Sequence, residues 1–363
     1  MKNDSKLTRK VLVRPFKYMT DSVAAEATKT TVLLMVQVVL LFISKSYASL
    51  AIVFAAVAGS LGADFFSHKL FHNEDKDEYS FIVSVAHGMI TGLLVPSTYS
   101  PVTVLAATFF TMLVVKHFFG GFSYAWVNPA VFSVVVLWIV GARLFPSYLV
   151  NMDILSARNP SQLLIESGVI PQYAFDGEIT DALNSSVFSI FKVSIPNGYV
   201  SLFWDNQSVI PAFRFNFATL VSSAVLFGSN LVKCVIPGIF LAVYLVLVRF
   251  VSPVICNGVA FQGDMLLALL TGGTIFFAVF VLSWYGTVPI SIAGKIIYGA
   301  VAGICAFLLA GPGTSPSGLI FTVLVSNIFS IIIQQWENRR DRISLRKKLE
   351  NFRKIESEEL KEL

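Results

Sequence analysis

Stretches of apolar residues, each close to the length of a membrane-spanning helix, recur along this chain and constrain its fold more than any other feature. They lie at about 30–45, 48–65, 80–97, 101–119, 126–145, 214–230, 234–252, 263–284, 291–310 and 317–335. A transmembrane helix needs about 20 apolar residues. Only 13% of the 363 residues are charged, whereas about a quarter are charged in a soluble domain. The sequence therefore predicts an all-α polytopic membrane protein with about ten transmembrane helices.

The distribution of Lys and Arg predicts how these helices are oriented. Residues 1–29 and 336–363 are basic, and an even number of spans puts both tails on one side of the membrane. The positive-inside rule makes that side the cytoplasm. The polar segment 146–213 follows the fifth span and has few Lys and Arg, which predicts an external loop. This loop separates a first membrane half, 30–145, from a second, 214–335.

The charged C-terminal tail allows two interpretations. Its basic residues near the last span are typical of an anchor that contacts anionic lipid headgroups. A docking helix for a partner subunit is the alternative.

Several classes of protein are excluded. The net charge is only +5, and no basic patch is interleaved with aromatic residues, so we predict no nucleic-acid partner. Cys234, Cys256 and Cys305 stand singly, and the four histidines do not pair at ligand spacing, which argues against disulfides, zinc and an intrinsic iron–sulfur cluster. The basic N-terminus has no small-residue cleavage site before the first apolar run, so we expect no removed signal peptide. No metal-binding residue is predicted.

The most unusual segment is K-H-F-F-G-G-F-S-Y-A-W-V-N-P-A-V-F, residues 116–132. Gly120 and Gly121 allow a backbone or a flat ligand to approach closely. Asn128 offers hydrogen-bond donors and acceptors, while Pro129 lacks an amide proton. A break of this kind inside a membrane must be buried in protein or line a cavity. An ordinary helix end followed by a helix that starts at Pro129 is the alternative.

The two membrane halves share short motifs, which predict an inverted repeat. Thr91-Gly92 lies 25 residues before Lys116, and Thr271-Gly272 lies 24 residues before Lys295. The threonines are five spans apart, and an odd offset inverts the orientation. We therefore predict an inverted 5+5 repeat with discontinuous helices, which places ligand or ion sites between the halves. Chance recurrence in a Gly-rich chain is the alternative.

Two further features of these motifs predict local contacts. Lys116 and Lys295 lie near the ends of their apolar runs, so we expect both side chains to snorkel to the interface. Gly299-x-x-x-Gly303 is typical of close packing between two helices.

Four motifs resemble one known family. They are H-G-M-I-T-G-L-L-V-P, V-V-K-H-F-F-G-G with N-P-A beginning seven residues later, L-T-G-G-T-I-F-F-A-V-F-V-L, and G-K-I-I-Y-G-A-V-A-G. They are similar to motifs of the B subunit of the sodium-translocating NADH:quinone reductase and, above all, of the homologous D subunit of the Rnf complex, a ferredoxin:NAD oxidoreductase. The resemblance extends over residues of about 10 to 338 and is most specific at 116–130.

This resemblance implies a subunit of an ion-translocating oxidoreductase in the bacterial inner membrane, with other membrane and peripheral subunits as partners. Electrons would pass between ferredoxin-type carriers and NAD, coupled to Na⁺ or H⁺ translocation. No catalytic residue is predicted in this chain. An inverted-repeat channel or carrier without a redox role, and a flavin-free scaffold subunit of the same complex, are the alternatives.

The resemblance also implies FMN, attached through its phosphate to a Thr of the external loop. The counterpart here is D-G-E-I-T-D-A-L-N-S-S, residues 176–186, in which Leu183 stands where the acceptor Thr is expected. Thr180 is the first candidate for covalent attachment, with Ser185 and Ser186 as other hydroxyls. Thr219 fits better as the start of the sixth span.

Non-covalent flavin contacts are expected at the break. Gly120, Gly121 and Asn128 are the candidate cofactor-binding residues, because a Gly pair beside aromatic residues suits the flat flavin ring. Ordinary packing of aromatic residues is the alternative.

Overall fold

The computed structural model describes residues 22–71, 79–118, 126–146, 150–156, 160–190, 192–284 and 286–362. Every regular element within these ranges is helical, and most of the helices are strongly apolar. The prediction of an all-α polytopic membrane protein is therefore confirmed.

The described residues of the first half form five α-helices. They are α1 (Val23–Ile43), α2 (Tyr47–Phe71), α3 (Ser80–Leu94), α4 (Pro101–Met112) and α5 (Pro129–Gly141). A π-helical segment, Leu113–Phe118, extends α4, and a 3-10 turn, Ala142–Leu144, follows α5. The α4 extension and α5 are separate elements, as the Asn-Pro motif predicts.

Short helices fill the segment between the halves. They are α6 (Met152–Leu155), α7 (Pro160–Glu166), α8 (Asp176–Leu183), α9 (Tyr199–Trp204) and α10 (Pro211–Arg214). The Ser97 amide donates to the Val209 carbonyl at 3.0 Å, and Arg214 donates to Ser46 Oγ at 2.5 Å. The segment therefore covers the end of the bundle at which the α1–α2 and α3–α4 turns lie.

The second half begins after α10. Its helices are α11 (Asn216–Gly228), α12 (Val235–Phe250), α13 (Ser252–Ile255), α14 (Met265–Thr271), α15 (Thr274–Phe276), α16 (Ile292–Ala310) and α17 (Gly318–Glu362). Between α14 and α15 the backbone is broken at Gly273, which has a φ of +66°. A π-helical segment, Phe277–Val281, continues α15. This apolar run is thus discontinuous.

Six of the described helical segments are long and apolar enough to cross a membrane. They are Val23–Ile43, Tyr47–Leu70, Pro101–Phe118, Val235–Ile255, Ile292–Ala310 and Gly318–Glu350, and shorter apolar helices lie at Ser80–Leu94, Pro129–Leu144 and Asn216–Gly228. The count of ten spans, the sidedness and the inverted repeat stay predictions.

Glycines bring pairs of helices into close contact in both halves. A Cβ on Gly59 of α2 would lie 2.5 Å from the Leu105 carbonyl oxygen of α4. A Cβ on Gly303 of α16 would lie 2.9 Å from the Phe240 carbonyl oxygen of α12. The expectation that Gly299-x-x-x-Gly303 packs closely against another helix is confirmed, and that helix is α12.

Candidate functional site

Asn128 joins the two membrane halves. It is fully buried at the N-terminus of α5, where its side-chain oxygen accepts a hydrogen bond from the Ala130 amide at 3.0 Å. Its amide nitrogen donates to the Val281 carbonyl of the second half at 3.3 Å. Asn128 is favoured at this position because it caps a helix that starts with Pro129. The same side chain therefore caps α5 and contacts the other half. We call the discontinuous apolar run of that half, residues 263–284, the broken segment.

Further polar side chains converge on the same broken segment. The ring of His87 on α3 lies 4.8 Å from that of Trp284, measured between centroids. The hydroxyl of Tyr298 on α16 lies 3.4 Å from the Leu282 carbonyl oxygen and 3.3 Å from Asn327 Oδ1 on α17. We call His87, Asn128, Trp284, Tyr298 and Asn327 the inter-half cluster. All five are almost inaccessible to solvent.

Two members of the inter-half cluster keep unused hydrogen-bonding capacity within the described residues. Neither ring nitrogen of His87 has a hydrogen-bond partner there, and the same is true of Asn327 Nδ2. The Oγ of the adjacent Ser326 also has no hydrogen-bond partner among the described residues. Buried polar groups are normally hydrogen-bonded, so these atoms call for a functional explanation. Sequence reasoning missed His87, whose one signal was a histidine in the middle of an apolar helix.

A second polar cluster surrounds Lys116, which is only 2% exposed. Its Nζ lies 3.2 Å from Asp64 Oδ1 and donates to Ser84 Oγ at 2.5 Å. The expectation that Lys116 snorkels to the interface is wrong, because α2 and α3 supply a carboxylate and hydroxyls that hold the ammonium inside the bundle. We call Asp64, His68, Ser80, Ser84, Lys116 and His117 the Lys116 cluster.

The histidines connect the Lys116 cluster to the surface. His117 Nε2 lies 3.5 Å from Asp64 Oδ1, and His68 Nε2 lies 3.8 Å from Asp64 Oδ2. The side chain of His68 is 35% exposed, whereas that of Asp64 is 7% exposed. The buried carboxylate is therefore one residue away from solvent.

Lys295 has different surroundings from those of Lys116. It lies in the first turn of α16 and is half-buried, whereas Lys116 lies in the π-helical extension of α4. The nearby carboxylate of Glu337 accepts hydrogen bonds from the amides of Ile290 and Ser291, each at 3.1 Å. The nearly equal sequence spacing therefore does not place the two lysines at equivalent helix positions.

Thr180, the candidate for covalent FMN attachment, is 1% exposed. Its hydroxyl donates to Asp176 Oδ1 at 3.2 Å. The Asp176 carboxylate also accepts from the amides of Gly198 at 2.8 Å and Ser201 at 2.7 Å. Asp176 thus links α8 to the start of α9 by hydrogen bonds, and the Thr180 side chain is buried at this contact.

These surroundings do not fit a flavin phosphate on Thr180. The phosphate would need an accessible hydroxyl, and it would bring a second negative charge beside the buried Asp176 carboxylate. Leu183, at the expected acceptor position, has no hydroxyl, whereas Ser185 and Ser186 are exposed. The other candidate cofactor contacts, Gly120 and Gly121, lie outside the described residues. No group of metal-binding side chains occurs in the described part of the chain.

Comparison with known proteins places this sequence in a family. Residues 10–342 match the sequence model of the NQR2, RnfD, RnfE family. The D subunit of the ion-translocating oxidoreductase complex of Sodalis glossinidius is 26% identical over 273 residues, which cover 69% of this chain and 76% of that protein. The protein of the same name from Citrobacter koseri is 26% identical over 293 residues, covering 73% and 80%. That from Vibrio vulnificus is 26% identical over 264 residues, covering 64% and 70%.

The match includes both membrane halves and the segment between them, so it is not confined to a single motif. The chain belongs to the NQR2, RnfD, RnfE family.

Proposed function

We propose that this chain is a membrane subunit of a complex that couples electron transfer between ferredoxin-type carriers and NAD to the translocation of Na⁺ or H⁺. The family match over residues 10–342 is the observation that carries the proposal. The relatives named as subunits of an ion-translocating oxidoreductase complex support it. In this proposal, the complex lies in the bacterial inner membrane, and both tails of this chain face the cytoplasm.

The inter-half cluster supports a role in coupling. Asn128 of the first half donates to a backbone carbonyl in a π-helical segment of the second half. Irregular backbone at membrane depth is typical of transporters, in which the two repeats move against each other around such breaks. A contact between the halves is therefore where a redox-linked movement would open or close an ion route.

A flavin-free scaffold role is the second candidate function. It is favoured by Leu183 at the expected acceptor position and by the buried hydroxyl of Thr180. Flavin fluorescence of the chain after denaturing electrophoresis separates the two candidates. A signal lost in Ser185→Ala or Ser186→Ala would place the flavin on an exposed hydroxyl, and a signal lost only in Thr180→Ala would require α8 to open for attachment. Absence of fluorescence would favour the scaffold role.

The coupling function is tested on the intact complex. The chain would be affinity-tagged and the complex purified in mild detergent, then reconstituted into lipid vesicles with ferredoxin and NAD. We expect co-purification of redox subunits, NAD-dependent electron transfer, and movement of Na⁺ or H⁺ that stops when electron transfer stops. Isolation of the chain alone, with ion or solute flux independent of any electron donor, would contradict the proposal.

A further inference from the structure

A line of polar side chains follows one face of α3 through the bundle. Ser80, Ser84, His87 and Thr91 are separated by four, three and four residues, which places them on the same side of a helix. Ser84, His87 and Thr91 are fully buried, and Ser80 is half-buried. We call these four residues the polar line. Polar and ionisable side chains within a membrane helix are costly and typically mark the path of an ion or a proton.

One end of the polar line belongs to the Lys116 cluster. Lys116 Nζ donates to Ser84 Oγ, and Ser84 lies one turn before His87. The ammonium of Lys116 and the carboxylate of Asp64 balance each other's charge, so this end adds no net charge to the interior. The half-exposed His68 connects it to solvent.

The other end of the polar line reaches the contact between the halves. The Thr91 hydroxyl lies 3.4 Å from the Ala130 carbonyl oxygen, in the first turn of α5. His87 lies between the two ends, with its ring against Trp284 of the second half. The polar line therefore runs from a cluster with access to solvent to the inter-half cluster.

His87 is the titratable group in the middle of this path. The Val83 carbonyl on its own helix and the charged or titratable side chains of Lys116 and His117 face it. Neither ring nitrogen makes a hydrogen bond of normal geometry within the described residues, although the Val83 carbonyl lies close to the ring, and the side chain is 0% exposed. An imidazole can take up and give off a proton, and each nitrogen can serve one side. Unused nitrogens in this position suit a group that exchanges protons.

The surroundings favour a proton over a sodium ion. Hard cations such as Na⁺ prefer several oxygen ligands, with carboxylates prominent among them. Within the described residues, the buried Asp64 carboxylate is paired with Lys116, and Glu337 accepts from backbone amides at the start of α16. Neither carboxylate is available as a ligand beside His87. A neutral imidazole binds a proton without needing such a set.

We propose that His87 is the relay for the ion that this subunit moves, and that this ion is a proton. The inference depends on the proposed coupling function. In the step, a neutral His87 takes H⁺ from a hydronium ion on the side of the Lys116 cluster and becomes imidazolium, leaving water. It then releases H⁺ to water on the side of the inter-half cluster and becomes neutral again. One N–H bond forms and breaks in each cycle, and no electron is transferred through His87.

The test uses the whole complex in lipid vesicles in sodium-free buffer, with a pH-sensitive dye inside and ferredoxin as donor. In the wild type, we expect proton movement during electron transfer to NAD. His87→Gln keeps a polar side chain of similar size but cannot carry a proton at neutral pH. We expect this variant to assemble and to move protons at least about tenfold more slowly, since loss of a proton-transferring side chain typically costs two or more orders of magnitude. Thr108→Val, a buried polar position away from the polar line, is the matched control and should transport normally.

Chemical rescue gives a result that a purely structural role would not produce. His87→Ala leaves space for a free imidazole, and added imidazole should restore proton movement in this variant but not in His87→Gln. Unchanged proton movement in His87→Gln would overturn the inference. In a parallel assay with radioactive sodium in the buffer, sodium uptake that depends on electron transfer and that His87→Gln leaves intact would also overturn it. Electron transfer without movement of either ion in the wild type would instead contradict the proposed function itself.

Discussion

The two halves of the molecule use similar short motifs in different surroundings. Thr91 lies in the last turn of a continuous α3, whereas Thr271 ends α14 and is followed by a backbone break at Gly273. Lys116 is buried beside Asp64, whereas Lys295 is half-buried at the start of α16.

The difference teaches that a motif does not determine its own environment. Lys116 is buried because α2 brings a carboxylate to it and α3 brings two hydroxyls. In the second half, the Glu337 carboxylate accepts backbone hydrogen bonds at the start of α16. The first half thus holds a charged pair in its interior, and the second half holds the backbone break at Gly273.

The largest expected effect comes from removing the lysine of each half. Lys116→Met leaves the buried Asp64 carboxylate without its ammonium partner, and breaking a buried pair in this way costs about 3–5 kcal/mol. Lys295 is half-buried and lies at a helix end, so Lys295→Met should cost about 1 kcal/mol or less, the range of charge interactions near the surface. Unfolding of the purified chain in mixed micelles measures both.

A double variant provides the control. Asp64→Asn combined with Lys116→Met leaves neither charge, and it should recover most of the lost stability. Equal losses of stability in Lys116→Met and Lys295→Met would contradict the predicted difference between the two halves.

The glycine contacts should give the next largest effect. Gly59→Ala would press a methyl group against the Leu105 carbonyl at 2.5 Å, and Gly303→Ala against the Phe240 carbonyl at 2.9 Å. Overpacking typically costs about 1–3 kcal/mol, and we expect Gly59→Ala near the upper end and Gly303→Ala near the lower. Gly228→Ala, where a Cβ meets nothing within 4 Å, is the matched control for unfolding experiments. A larger loss for Gly303→Ala would reverse the predicted order.

The helix caps should give a smaller difference. Asn128 caps α5 and Ser291 caps α16, and loss of either capping oxygen should cost about 1 kcal/mol. Ser291→Ala also removes the hydrogen bond that the Ser291 hydroxyl donates to the Glu337 carboxylate. Asn128→Ala also loses the bond to Val281, which adds about 1 kcal/mol. Asn128→Ser keeps a capping oxygen but cannot donate an amide proton, so its stability should lie between those of Asn128→Ala and the wild type. Identical stabilities of Asn128→Ser and the wild type would show that the contact between the halves contributes nothing.

The smallest effect is expected from two tyrosines whose hydroxyls donate to carbonyls near the C-terminal ends of helices. Tyr99 donates to the carbonyls of Leu137 and Gly141, and Tyr244 donates to that of Gly311. Replacing either with Phe should cost about 1 kcal/mol at neutral pH.

Tyr99 should also give an alkaline signature. Burial raises the pKa of Tyr99 to about 12, above the unfolded value of about 10. Its stabilising contribution is therefore fully present below pH about 10 and is lost as the pH rises towards about 12. Unfolding measured from pH 9 to 12 should show a loss of stability in this window that Tyr99→Phe lacks. The same slope in Tyr99→Phe would assign it to other groups.

The apolar runs were sufficient to predict an all-helical membrane protein, and the Asn-Pro motif was sufficient to predict a break before α5, but the capping role of Asn128 was not predicted. The surroundings of Lys116 were not predictable, because Asp64 is 52 residues away and no pattern in the chain links them. The burial of His87 against Trp284 was missed for the same reason, since Trp284 comes from the other half. The burial of Thr180 depends on Asp176 reaching Gly198 and Ser201, which local sequence does not reveal.

The most direct test of the account is the number of ions moved per electron in the reconstituted complex carrying Asn128→Ala. The central claim is that the hydrogen bond from Asn128 to the broken segment of the second half ties ion movement to electron transfer. We predict that the variant complex assembles and keeps most of its electron transfer to NAD, while the ions moved per electron fall severalfold. An unchanged ratio in an assembled Asn128→Ala complex would contradict this claim.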